Sequence, residues 1–218
     1  MATIVITGPP YSGPAVSGNR GYNGNKGATG AIGALDSNDC GTWCKSPPTD
    51  GAMGSDGSSG SAGGAGGKGN PIPITDKHLG VVTGKVEVQV GGGQGQNGGN
   101  GGNGGDGGPG GDPGTSGNSL IDQIVASYCG ASTAGPQGRG GRGGNGGNAG
   151  SGGDGRSVTV WYTRIDPGGQ IIPSTFLGQP GNPGSGGSGG NGSTNLGPGS
   201  VGYPGNPGSA SYVNVRQE

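Results

Sequence analysis

Residues 92–117 read GGQGQNGGNGGNGGDGGPGGDPGTSG, and their spacing decides the fold. Gly recurs at 92, 95, 98, 101, 104, 107 and 110, and again at 99, 102, 105, 108, 111, 114 and 117. A period of three is neither the 3.6 of an α-helix nor the 2 of a β-strand. It is the period of the polyproline-II helix, which makes three residues per turn and no internal hydrogen bonds. Two of its three rows are nearly bare of side chains here, and the third carries Asn100, Asn103, Asp106, Pro109 and Asp112. Bare rows let such helices lie backbone to backbone, where the N–H and C=O groups of neighbours satisfy one another.

The period returns in separated stretches. Gly18 to Gly33 holds it with only one bare row, which predicts an outer position; Gly51 to Gly69, Gly135 to Gly153, Gly178 to Gly190 and Gly199 to Gly208 follow. Flexible linkers have no reason to keep one register through six stretches, so a packed bundle is expected. Within it Gly98, Gly101, Gly104, Gly107, Gly141, Gly144 and Gly147 are the predicted contact glycines, while Asn145 and Asn148 face outward. Gly146 is read as intermediate, because its row carries Ala149. A collagen triple helix is set aside, since its runs are long and Pro-rich.

Composition agrees. The chain has 64 Gly, 17 Pro and only 25% hydrophobic residues, too few for a conventional core of domain size, and 11 basic against 12 acidic residues. That balance speaks against nucleic acid as a partner, and no stretch is long and apolar enough to predict membrane insertion. The opening MATIVITGPPYSG lacks the charged and apolar regions of a secretory leader, so none is expected.

Between the runs lie short strand-like texts: Ala2 to Thr7, Val81 to Val90 with Val86, Val88 and Val90 on one side, Val158 to Ile165, Gln170 to Leu177 and Ser211 to Arg216. Residues 71–75 read as extended, and 36–50 as irregular. Ser119 to Cys129 is the one helical candidate, with Leu120, Ile121, Ile124 and Val125 at helical spacing and Asn118 or Ser119 as cap. The expected fold is irregular and all-β-like, a bundle of polyglycine-II helices with short strands forming a small sheet or cap and almost no α-helix. It is one elongated glycine-rich domain over 1–218, with parts at 1–17, 18–70, 71–156 and 157–218.

Chemistry is sparse. The lone His78 reads as a solvated loop residue, and no nucleophile–base pair can be nominated, so no enzyme, cofactor or metal is expected. Asp106, Asp112 and Asp154 read as solvated carboxylates. Cys40 and Cys44 form a possible disulfide, with an inert thiol pair or a bond from either to Cys129 also open. Tyr22, Trp43, Trp161, Tyr162 and Tyr203 are the candidate partner contacts, because exposed aromatics on a rigid frame are what receptors bind well. Trp161 and Tyr162 are strand neighbours and face opposite sides.

The strand VEVQV (86–90) opening into a glycine run, and SVTVWYTRIDPGG (157–169) ahead of another, resemble glycine-rich domains of phage tail and bacterial surface proteins. The bundle itself resembles the receptor-binding tip adhesins of T-even-type phage long tail fibres and the springtail antifreeze proteins, and ITGPPYSGPAVSGN (6–19) is similar to the start of those adhesins. The chain is without the adhesins' long Trp-rich attachment domain. It also differs from the antifreeze proteins in the Asn, Asp, Arg and Lys of its outward rows. The resemblance implies a non-enzymatic structural or binding protein on a virion or extracellular appendage, partnered by a fibre protein and a cell-surface receptor. The rival expectations are a self-assembling filament subunit, in which ATIVIT or SYVNVR completes a neighbour's sheet, and an ice-binding protein.

Overall fold

A computed structural model describes all 218 residues. Its architecture is irregular and all-β-like: small sheets, one helix, and long extended stretches that are neither. The strands are β1 (Ala2–Thr7), β2 (Ala34–Asn38), β3 (Gly41–Ser46), β4 (Asp76–His78), β5 (Val81–Val82), β6 (Lys85–Gly91), β7 (Ser157–Tyr162), β8 (Arg164–Ile165), β9 (Gln170–Phe176) and β10 (Tyr212–Gln217). Helix α1 (Ser119–Cys129) lies between β6 and β7.

The glycine stretches form six extended segments, at 15–33, 49–70, 93–114, 135–155, 178–192 and 197–209. They are joined by lateral backbone hydrogen bonds at every third residue. The first segment donates to the third, from Gly18 to the Asn100 carbonyl (2.7 Å) through Gly30 to Asp112 (2.9 Å). The third donates to the second in the opposite sense, from Gly99 to Gly64 and from Gly108 to Ser55, both at 2.9 Å. Followed through all pairs, the first, third and fifth segments run parallel in one layer, and the second, fourth and sixth run the other way in a second layer. Of 97 backbone hydrogen bonds, 63 lie outside the helix and strands, so lateral pairing and not regular secondary structure carries most of the backbone bonding. Each bond nets only about 1 kcal/mol, comparable to the entropy of fixing one residue. The stack therefore depends on nearly every rung being made.

Glycine is required for space. A Cβ at Gly98, Gly101, Gly104 or Gly107 would stand 2.0–2.1 Å from a carbonyl oxygen of the fourth segment. At Gly141, Gly144 and Gly147 it would stand 1.9–2.0 Å from one of the second. None of these residues has positive φ; of the six glycines that do, five lie outside the segments and the sixth, Gly197, opens the last one. Gly146 is as tight as Gly147, with the Gly184 carbonyl oxygen at 2.0 Å, so it is not intermediate. The first segment lies at the outside of its layer, bonded only to the second and third.

One rung is missing. The sixth segment donates to the fifth from Gly199, Gly202 and Gly208 but not from Gly205, whose acceptor would be Gly181. Gly146 and Gly152 aim their absent Cβ at the carbonyls of Gly184 and Gly178. Ala149, between them in the row, therefore points its methyl at Gly181. Both residues of the missing rung stand off from their other neighbours: a Cβ at Gly205 would be 2.4 Å from the Gly150 carbonyl oxygen of the fourth segment, against 1.9–2.0 Å at Gly199, Gly202 and Gly208, and one at Gly181 would be 2.3 Å from the Gln96 carbonyl oxygen of the third, against 1.9–2.0 Å at Gly184, Gly187 and Gly190. One methyl group costs one hydrogen bond.

At one end the layers continue into sheets. β6 and β9 lead straight into the third and fifth segments, β1 reaches the first through residues 8–14, and the three strands pair in parallel in the order β1-β6-β9. The other layer runs out into β4, β7 and β10, again parallel, in the order β10-β7-β4. The sheets enclose the hydrophobic core of Ile6, Ile72, Val88, Val90, Val158 and Val160. Val88 and Val90 face inward as alternation predicts. β1 is taken up in the chain's own sheet, its six residues in register with Val86 to Gly91. β5 and β8 pair with each other, splitting the strands predicted at 81–90 and 158–165.

At the other end three connections cap the stack: a β2–β3 hairpin between the first two segments, α1 between the third and fourth, and a short turn between the last two. The hairpin corrects the irregular reading of 36–50. It has no hydrophobic alternation, and its turn is held by Asn38 Oδ1, which accepts the Cys40 N–H at 2.9 Å. Asn118 caps α1, its Oδ1 accepting from Leu120 N–H at 3.1 Å. The possible Cys40–Cys44 disulfide does not form: Cys44 is bonded to Cys129, and Cys40 is a free, exposed thiol. Cys44 lies on a strand that packs against α1, whereas Cys40 lies in the turn beyond.

Gly147→Val forces a branched side chain into a carbonyl and should cost several kcal/mol. Asn148→Val loses one exposed hydrogen bond and should cost about 1 kcal/mol. Thermal melts separate the two, and equal midpoints would contradict the packing. Ala149→Gly should restore the missing rung, read as slower hydrogen exchange at the Gly205 amide.

Candidate interaction surface

The predicted contact residues do not converge. Tyr22 and Tyr203 project from the stack, 86% and 77% exposed, but on the first and sixth segments, at opposite margins. Trp43 lies on β3 at the capped end, while Trp161 and Tyr162 lie on β7 at the sheet end. Trp161 is held in place: its indole N–H donates to Asp76 Oδ1 at 3.0 Å and its ring stacks on His78 with centroids 6.3 Å apart. His78 is accordingly a strand residue, hydrogen-bonded to Glu218 at 2.9 Å.

The outward rows have a function that the sequence reading missed. In the third segment Asn97, Asn100, Asn103 and Asp106 each accept, through Oδ1, a backbone N–H of the fifth: Asn182, Ser185, Ser188 and Asn191, at 2.7–3.0 Å. In the other layer Asn145 and Asn148 accept from Ser200 and Tyr203 at 2.9 and 3.0 Å. Asp50 and Asp56 accept from Thr133 and Arg139 at 2.6 and 2.7 Å. A short side-chain oxygen satisfies a donor row that no backbone reaches. The recurrence of Asn, Asp and Ser at one place in the triplet was the signal for it. Asp106, Asp112 and Asp154 are also paired with Arg20, Lys26 and Lys68 of the neighbouring segment rather than merely solvated.

The surface that stands out lies at the capped end. Helix α1 carries Leu120, Ile121, Ile124 and Tyr128, and the sequence reading places the first three with Val125 on one packing stripe. Only Val125 is buried; those four are 49–69% exposed. Cys129 and Val125 turn one side of the helix to the hairpin and the stack, which leaves the Leu120–Ile124–Tyr128 line, spaced by four residues, on solvent. Ile32, Trp43 and Leu196 are exposed at the same end. The stack offers no apolar face to cover the stripe. A cleft of about 230 Å³ separates the helix from the stack, lined by Ile32, Gly33, Pro48, Val125, Ala126 and Ser132. The disulfide joins residues 85 apart in sequence and fixes helix to hairpin. A link closing so long a loop typically stabilises by about 2–4 kcal/mol.

No family model matches the sequence, and no curated protein matches it. Among solved structures, a nine polyproline type II helical bundle springtail antifreeze protein from Granisotoma rainieri aligns over 94% of this chain and 97% of its own, at 20% identity. The TM-score is 0.15, too low to equate the two folds. No helix is long and apolar enough to cross a membrane.

Three carboxylates sit below their ordinary value of 3.8: Asp50 through the Thr133 N–H, Asp76 through the Trp161 indole N–H, and Asp154 through Lys68. Their depressed values mean that the folded state holds them ionised more strongly than the unfolded chain does. Stability from these contacts is present above the ordinary value and lost as pH falls through the lower folded ones. Melting midpoints should fall from about pH 4 downward. A D50N/D76N variant should show a shallower decline, and an identical acid profile would contradict these contacts.

Proposed function

We propose that the six glycine segments are polyglycine-II helices and that the chain is a non-enzymatic binding protein, a fibre-associated component of a phage tail or similar extracellular appendage. The shaft is rigid and polar, and its capped end meets a cell-surface receptor. The observation that carries the reading is the exposed apolar stripe of α1, lifted on three connections at one end of an otherwise polar stack. Contiguous exposed apolar surface on a folded protein marks an interaction site. The lateral N–H···O=C pairing at every third residue supports the helix type. The Cys44–Cys129 bond supports an oxidising location such as a virion surface.

In this reading Leu120, Ile124, Tyr128 and Trp43 replace Tyr22 and Tyr203 as the contact residues, and the sheet end is the mounting end. Paired β1 weighs against the filament reading, since its strand already completes a sheet within the chain.

Labelled protein applied to a panel of bacterial envelopes tests the proposal. Binding to at least one envelope is expected, reduced at least tenfold by Ile124→Asp or Tyr128→Ala with unchanged melting midpoints. Tyr22→Ala should bind as the unaltered protein does. Absence of binding to every envelope, or binding indifferent to the α1 variants, would sink it.

A further inference from the structure

The six-segment stack could in principle continue sideways, because each layer hands hydrogen bonds on in one direction. The first segment donates to the third and the third to the fifth; the second donates to the fourth and the fourth to the sixth. A second copy placed beside the fifth and sixth segments would extend both ladders if those segments offered donors outward.

The register identifies that donor row. In the fifth segment Gly181, Gly184, Gly187 and Gly190 donate to the fourth, while Asn182, Ser185, Ser188 and Asn191 donate to side chains of the third. The remaining row, Pro180, Pro183, Gly186, Gly189 and Gly192, donates no backbone hydrogen bond within the chain. In the sixth segment Gly199, Gly202 and Gly208 donate to the fifth, and Ser200, Tyr203 and Asn206 donate to side chains of the fourth. Its outward row is Pro198, Val201, Pro204 and Pro207. Proline has no N–H to give. The sixth segment thus keeps one outward donor, at Val201, and the fifth keeps those at its glycines.

The opposite margin is closed by a different device. In the first segment Asn19, Tyr22, Asn25 and Ala31 have N–H groups that no earlier segment can receive. They donate instead to Ser61 Oγ, Ser58 Oγ, Ser55 Oγ and Thr49 Oγ1 of the second, each at 2.7 Å. Each of those hydroxyl residues returns its own backbone N–H to the same partner's carbonyl, at 2.9–3.0 Å.

We infer that these two rows are edge caps: the hydroxyl row of the second segment, together with prolines that leave an N–H at only four of the nine outward positions of the fifth and sixth, prevents a second copy of this chain from adding laterally to the stack. The caps do for glycine segments what charges and prolines do for the edges of β-sheets. The inference deepens the proposed function, since it confines association to the ends, but it stands on the ladders alone.

Sedimentation velocity with amide hydrogen exchange tests it. The unaltered chain should show no lateral association, with the Gly186, Gly189, Gly192 and Val201 amides exchanging freely. A P198G/P204G/P207G variant introduces three donors and should associate with rising concentration, to at least twice the monomer's 20.4 kDa, with protection appearing at the amides introduced at positions 204 and 207. Unchanged exchange at Gly98 to Gly110 checks that the variant is folded. The single variant P204G, which perturbs the fold least, should associate more weakly in the same manner. Protection of Gly186, Gly189, Gly192 or Val201 in oligomers of the unaltered chain would overturn the inference, as would folded proline variants that stay monomeric at every concentration. End-to-end polymers of the unaltered chain with Val201 still exchanging would leave the caps standing and count against the tip reading instead.

Discussion

The structure depends on one distance, that between the backbones of neighbouring glycine segments. They lie so close that a methyl group on a contact glycine would stand about 2 Å from the neighbour's carbonyl oxygen, as at Gly101 against Gly144 and Gly144 against Ser61. At that separation every third N–H reaches a carbonyl, and no side chain can enter. Ordinary proteins exclude water with apolar side chains; here the backbones themselves leave no room for it. This explains how a chain with a six-residue hydrophobic core can fold at all. It also explains why the composition does not mean disorder. Glycine loses the most conformational entropy on folding, yet it alone permits the contact that offsets the loss.

The sandwich at one end follows from the same geometry. Each layer arrives with three parallel backbones already aligned, so parallel strands need no crossover helices between neighbours. β6 holds Val88 and Val90 toward β7's Val158 and Val160, and Ile6 and Ile72 fill the remaining space. The registers agree: β1 pairs with β6 over six residues, and the segments beyond continue with offsets near 82, as in Gly18 to Asn100. A one-residue slip in β6 would move its valines outward and set every glycine of the third segment against the wrong row. Sheet and stack therefore specify one another.

Much of this is legible in the residues, because period three is a geometric statement. The bare rows of the third and fourth segments, the outer place of the first, and the inward valines of β6 can all be read from spacing. What spacing cannot give is which segment faces which. That hides the role of Asn100 or Asn148, whose side chain serves an N–H 85 or 55 residues away. It also hides Ala149's effect on Gly205, since two segments must be aligned before the missing rung is visible. The hairpin at 34–46 escapes a reading by spacing, because polar strands held by a disulfide partner on α1 need no alternation. Helix α1 is recognisable by its period and its Asn118 cap, but periodicity places apolar residues on one face without saying that the face is covered.

Fold and surface are consequently separable in this chain to an unusual degree. In a conventional domain the residues that build the core also constrain the loops they support. Here the stack uses two rows in each triplet for contact, both almost wholly glycine in the third and fourth segments, and asks of the remaining row only a short hydrogen-bonding oxygen at some positions. The side chains of Arg139, Arg142 and Met53 stand in that remaining row and make none of the lateral bonds. The connections at 34–48, 115–134 and 193–197 meet the stack only at its end, where α1 is fastened by one covalent bond instead of a packed apolar face. Sequence change in the hairpin or in α1 leaves the rungs intact, whereas change in the glycine rows does not. A scaffold of this kind holds its shape through backbone alone and leaves side-chain chemistry free to be concentrated where the three connections gather.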